Sequence, residues 1–239
     1  MTGSQTARTA QTARTAPSAT ETVDTPAGEA RITWHRAARA ARSVLALGHG
    51  AGGGIEARDL AALAAALPAL GVSVALVEQP WRVAGRKLAP APKTLDAGWT
   101  GLWPALAKPG LPVIAGGRSA GARVACRTAE ELGAAAVLAL SFPLHPPGKP
   151  EKSRAAELDL GAAAGPLLIV QGGNDTFGRP AEFPPGYAPA EVPYGDHSFA
   201  VPKRAELTQD AALAVLTDAV SDWLAGLGHA SARPGGRKG

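Results

Sequence analysis

The sequence predicts an α/β domain, a mostly parallel sheet covered by helices on both faces. Short apolar runs recur with the length of buried strands, and segments of helical period alternate with them. A glycine-rich turn joins one such run directly to a helix at residues 116–121.

The first 29 residues open with a hexapeptide, Gln5–Ala10, repeated at once as Gln11–Ala16. Ser, Thr and Pro follow without hydrophobic periodicity, so residues 1–29 are expected to be a disordered tail. The folded body is expected over residues 30–228, one domain. Its strand candidates are Ser43–Leu47, Val72–Val77, Pro112–Ala115, Ala135–Leu140 and Pro166–Val170. Leu60, Leu63, Leu67 and Leu70 form one helical stripe, closed by Gly71 as a C-terminal cap. The run from Pro112 enters Gly116-Gly117 and then a helix over about residues 120–132. Only residues 141–165 separate the next two strand candidates, enough for one crossover helix and no large cap domain. A last stripe, Leu213, Leu216, Val220, Trp223, Leu224 and Leu227, predicts a terminal amphipathic helix before a disordered basic tail over 229–239.

The net charge of +4 does not mark a nucleic-acid surface, because the two tails together carry half of it. A single cysteine, Cys126, rules out an internal disulfide and a cysteine-rich metal site, as expected of a cytoplasmic protein. The N-terminus has no apolar signal region, and no apolar run is long enough to span a bilayer. The partner these features leave is a small molecule, not a nucleic acid or a membrane.

Gly117-Arg118-Ser119-Ala120-Gly121 is a G-x-S-x-G pattern. Chance gives about 0.15 such patterns at this composition, so the strand before it and the helix after it carry more weight than the letters. The turn would hold Ser119 in a strained conformation that only small neighbours permit. A serine hydroxyl is a weak nucleophile until a base takes its proton and a carboxylate fixes that base's tautomer. Asp175 follows the strand at 166–170, and His197 precedes the last helix. The order Ser, Asp, His is that of α/β-hydrolases. Asp196 is the rival acid, but adjacent side chains diverge.

His49-Gly50-Ala51-Gly52-Gly53-Gly54 follows the first strand candidate and suits an oxyanion turn, with the amide of Ala51 or Gly52 acting beside that of Ala120. The loop after Val77 is basic, and Trp81, Arg82 and Arg118 are candidate substrate contacts, an arginine suiting a substrate carboxylate. His145, in a proline-rich loop, is a candidate for the pocket wall. A rival reading takes Gly48-x-Gly50-x-x-Gly53 as a dinucleotide turn with Glu78 as the ribose acid. It leaves Ser119, Asp175 and His197 unexplained.

The chain also resembles the bacterial α/β-hydrolases grouped with testis-expressed protein 30 and the non-specific-lethal complex subunit 3 of eukaryotes. The segments that carry the resemblance are HGAGG at 49–53, EQPWRVAGR at 78–86, GGRSAGAR at 116–123, FPLHPPGKPE at 142–151, VQGGNDTFG at 170–178 and GDHSF at 195–199. The resemblance implies a dienelactone-hydrolase-like fold with Ser119, Asp175 and His197 at the triad positions. Ala120 departs from the methionine expected there, which alters the pocket lining and leaves the backbone donor in place. The eukaryotic relatives resemble parts of chromatin-modifying assemblies, which sets a catalytically idle interaction module beside the enzyme reading. The enzyme expected is a serine hydrolase acting on small or short-chain acyl groups, with no metal or organic cofactor.

Overall fold

The structure, a computed structural model, describes residues 19–37 and 40–230. Eight strands form one sheet in the order β1-β2-β4-β3-β5-β6-β7-β8. The strands are β1 (Ala19–Thr25), β2 (Gly28–His35), β3 (Ser43–Gly48), β4 (Val72–Glu78), β5 (Val113–Arg118), β6 (Ala136–Leu140), β7 (Leu167–Gly172) and β8 (Ala190–Val192). From β4 to β8 every pairing is parallel, while the β1–β2 hairpin joins β4 antiparallel.

Side chains along β3 alternate between two cores. Val44 and Ala46 face α3 (Pro92–Ala107), α4 (Ala120–Thr128) and α5 (Ala155–Ala164), whereas Leu45 and Leu47 face α1 (Arg58–Ala66) and α6 (Gln209–Ala230). The remaining helix, α2 (Pro80–Val83), is a single turn after β4. With both faces covered, the inner strands read as continuous apolar runs, which is why they were legible in sequence.

Two expectations are corrected here. Residues 19–29 are not tail: they form β1 and the start of β2, and residues 1–18 lie outside the described residues. The hairpin is ordered because Ala30, Ile32 and Trp34 bury one face of β2, and Trp34 Nε1 donates to Glu21 Oε2 at 3.1 Å. At the other end α6 runs to Ala230, past the expected boundary at 228, and residues 231–239 lie outside the described residues.

The first leucine stripe also divides into two elements. α1 ends at Ala66 and a 3-10 turn, Leu67–Leu70, follows. Pro68 has no N–H to continue the α-helical ladder. Gly71, at φ 80°, closes the turn in the left-handed region as expected. No helix among the described residues is long and apolar enough to cross a membrane.

Candidate active site

Ser119 is the one residue between β5 and α4, with φ 52° and ψ −112°. Such a conformation costs on the order of 1–3 kcal/mol in a residue with a side chain. The surrounding structure enforces it: Ser119 N donates to Leu140 O at 2.9 Å, and Arg123 N donates to Ser119 O at 3.2 Å. The flanking glycines are there for space. A Cβ on Gly117 would lie 2.6 Å from Gly48 O, and one on Gly121 would collide with the same carbonyl. The end of β3 is thereby packed directly against the Ser119 turn, and Ser119 itself stays partly exposed.

His197 Nε2 is 2.9 Å from Ser119 Oγ, and its Nδ1 is 2.8 Å from Asp175 Oδ2 and 3.0 Å from Oδ1. Asp175 offers acceptors, so Nδ1 carries the hydrogen and Nε2 receives the serine O–H. Asp175 is fully buried and also accepts from Gln171 Nε2 at 2.9 Å and Phe177 N at 2.8 Å. Phe177 stacks on the His197 ring, with centroids 4.1 Å apart. Asp196 instead accepts from Ser198 N and Ala200 N, closing its own turn.

The glycine turn after β3 is set by His49. Gln79 N donates to His49 Nε2 at 3.2 Å, which leaves Nδ1 as the donor to Gly50 O at 2.8 Å. Burial lowers the His49 pKa, and the Arg82 charge lowers it further, so the neutral ring is favoured. Because C=O and N–H point opposite ways across a trans peptide, pinning Gly50 O turns the Ala51 amide away from His49. Ala51 and Ala120 both line a cleft of about 10 Å³, closed by Trp81, Leu95 and Val124; Gly52 is not part of its lining.

The sequence matches a family model, alpha/beta hydrolase domain, over residues 41–225. The chain belongs to the α/β-hydrolase domain family. A search of curated proteins finds no match. Among solved structures, a lidless α/β serine hydrolase from Xanthomonas campestris superposes with a TM-score of 0.65 at 18% identity, over 86% of this chain and 94% of the other. The dienelactone hydrolase of Anabaena variabilis gives 0.64 at 17% identity, over 88% and 97%. Est1E from Butyrivibrio proteoclasticus gives 0.66 at 14% identity, over 88% and 99%. These likenesses show a shared fold: the mostly parallel sheet and the single helix α5 between β6 and β7 are those of an α/β-hydrolase without a large cap.

The family and the topology overturn the dinucleotide reading. In that motif the glycine turn opens a helix, whereas here residues 49–57 intervene before α1, and Glu78 pairs with Arg31 at 3.5 Å. Arg118 is also not free to bind substrate: it is 8% exposed, with Nε on Asp59 Oδ2 at 3.1 Å and Nη2 on His197 O at 2.6 Å. His145 is occupied as well, its ring bonded to Pro146 O and Glu182 Oε2. Its pKa is raised, first by the Pro146 carbonyl and then by Glu182 against the pull of burial. Arg82 is exposed, and its guanidinium pairs with Glu56 at 3.5 Å. Among the described residues, no group of three or more His, Cys, Asp or Glu is placed to hold a metal.

Sequence reasoning missed Gln171, Phe177 and Asp59, and missed His49 as the residue that orients the turn. Gln171 and Phe177 lie within the quoted segment at 170–178, so proximity to Asp175 was their only signal. Asp59 offered none, since its contact with Arg118 joins residues 59 apart in the chain.

Proposed function

We propose that this chain is a serine hydrolase for small or short-chain acyl esters, with Ser119 as nucleophile, His197 as base and Asp175 as its orienting acid. The observation that carries the reading is the unbroken hydrogen-bonded path from Ser119 Oγ through His197 to Asp175. Ser119 Oγ bonds to the acyl carbon as its proton passes to His197 Nε2, and the carbonyl electrons move onto oxygen. That oxyanion accepts hydrogen bonds from the Ala51 and Ala120 amides. Its collapse breaks the ester bond, and the departing alkoxide takes the proton from His197. Water then repeats the sequence on the acyl-serine, so substrate and water alone balance the reaction.

Acyl size follows from the cleft beside these amides. Its volume of about 10 Å³ is close to that of one water-sized group. Beyond it lies a cavity of about 300 Å³, and Gln79 and Trp81 line both. Arg82, held by an exposed contact, is available to a carboxylate on the substrate. The test is an ester series run from acetyl to octanoyl. kcat/KM is expected to be highest for acetyl and to fall by about thirtyfold or more per two added methylenes, each methylene being worth ~1–3 kcal/mol in a fitted pocket. Trp81→Ala, which removes the wall between cleft and cavity, should move the optimum to longer chains. A rate that climbs with chain length in the wild type contradicts the small cleft, and no turnover of any ester favours the interaction-module reading.

A further inference from the structure

We propose that Arg118, braced by Asp59, is a positioning residue that sets the His197 loop and the Gly50 turn against Ser119; this rests on the hydrolase reading above. The side chain next to the nucleophile is turned into the protein, and one guanidinium meets three other segments. Nε donates to Asp59 Oδ2 at 3.1 Å, on the second residue of α1. Nη2 donates to the backbone oxygen of His197 itself, at 2.6 Å. Nη1 lies 3.0 Å from the point a Cβ on Gly50 would occupy, so it abuts the turn that carries the Ala51 amide.

The brace is rigid for chemical reasons. A guanidinium is planar and stays charged, so its donors hold a fixed angle to one another. Asp59 is 1% exposed and fixes the Nε side of that plane. A buried ion pair of this kind adds little net stability over apolar side chains of similar size, so stability alone does not account for it. What it does supply is position. Base, nucleophile and oxyanion donor sit on three separate loops, and a displacement of about 1 Å between such groups costs on the order of 10²-fold in rate.

The test separates position from stability by removing both charges together. Arg118→Met alone strands the Asp59 carboxylate and should lower both the melting temperature and the rate of acylation by a fluorophosphonate. Asp59→Leu combined with Arg118→Met leaves neither charge of the pair stranded and should recover most of the melting temperature. Its acylation is still expected to be about 100-fold slower than wild type, with kcat reduced and KM within about twofold. Arg118→Lys, which can serve one partner but not both, should fall about tenfold.

Amide hydrogen exchange supplies a readout that does not depend on activity: residues 195–200 should exchange faster in the double variant while α1 keeps its protection. A double variant matching wild type in acylation and in exchange over 195–200 overturns the proposal. If the wild type resists acylation while the double variant still loosens 195–200, the hydrolase reading fails and the brace stands.

Discussion

His197→Ala is expected to slow ester turnover by on the order of 10⁶-fold in kcat, the scale on which a triad loses its base. Nε2 is the atom placed to receive the Ser119 O–H, and among the described side chains no other imidazole is bonded to Ser119 Oγ. His49 and His145 each have both ring nitrogens engaged, the first on Gly50 and Gln79, the second on Pro146 and Glu182. The loss should appear almost wholly in kcat, with KM little changed, since the imidazole moves a proton and does not wall the acyl cleft. His197 is partly exposed and its ring packs on Phe177, so the variant should fold, with a thermal transition near that of wild type. A folded His197→Ala protein within about tenfold of wild type would show that another base serves Ser119.

Asp175→Asn is expected to cost about 10⁴-fold in kcat through the tautomer of that same imidazole. Oδ2 accepts from His197 Nδ1 and Gln171 Nε2, and Oδ1 accepts from Phe177 N and lies 3.0 Å from the same Nδ1. An asparagine oxygen satisfies only part of this set, and its NH2 must take one of the two oxygen positions. If it faces the imidazole, Nδ1 becomes the acceptor and Nε2 carries hydrogen toward Ser119, where no proton can be received. In either place the NH2 also meets a donor, Gln171 Nε2 at the Oδ2 position or Phe177 N at the Oδ1 position, and two opposed buried donors cost about 1–3 kcal/mol in stability. The measurement is kcat alongside the melting temperature, and Asp196→Asn is the control. Asp196 Oδ1 holds Ser198 N and Ala200 N, an acceptor role that asparagine keeps, so its rate should stay within about twofold of wild type. Reversal of the two outcomes would move the acid to Asp196.

How much of this was legible in the sequence depended on how far apart the partners lie. The five inner strands could be read because burial on both faces leaves continuous apolar runs, and β5 led directly into the serine turn. β1 could not, because ATETVDT is a polar edge strand whose order comes from pairing with β2. α3 carries a helical stripe in Leu95, Trp99, Leu102 and Leu106, but Gly98, Gly101 and Pro104 interrupt it. Gly98 is small because Gln79 and Pro80 press against that face, a tertiary reason that no local pattern displays.

The site divides in the same way. Ser119, Asp175 and His197 follow from turn chemistry and chain order. Arg118 was legible only as a basic residue beside the nucleophile, so it was assigned to substrate, whereas its partners are Asp59 and the His197 carbonyl. The choice between Ala51 and Gly52 likewise needed the peptide that His49 fixes.

Covalent labelling of the intact protein by a fluorophosphonate, with the adduct mapped by mass spectrometry, tests the central claim most directly. The reagent forms a bond only to a serine with a base at its hydroxyl and donors at the developing oxyanion, and Ser119 is assigned both. The expected result is one adduct per chain, on Ser119, abolished in a folded Ser119→Ala protein. A folded wild type that resists labelling at neutral to mildly alkaline pH, or a Ser119→Ala protein that still labels, would contradict it.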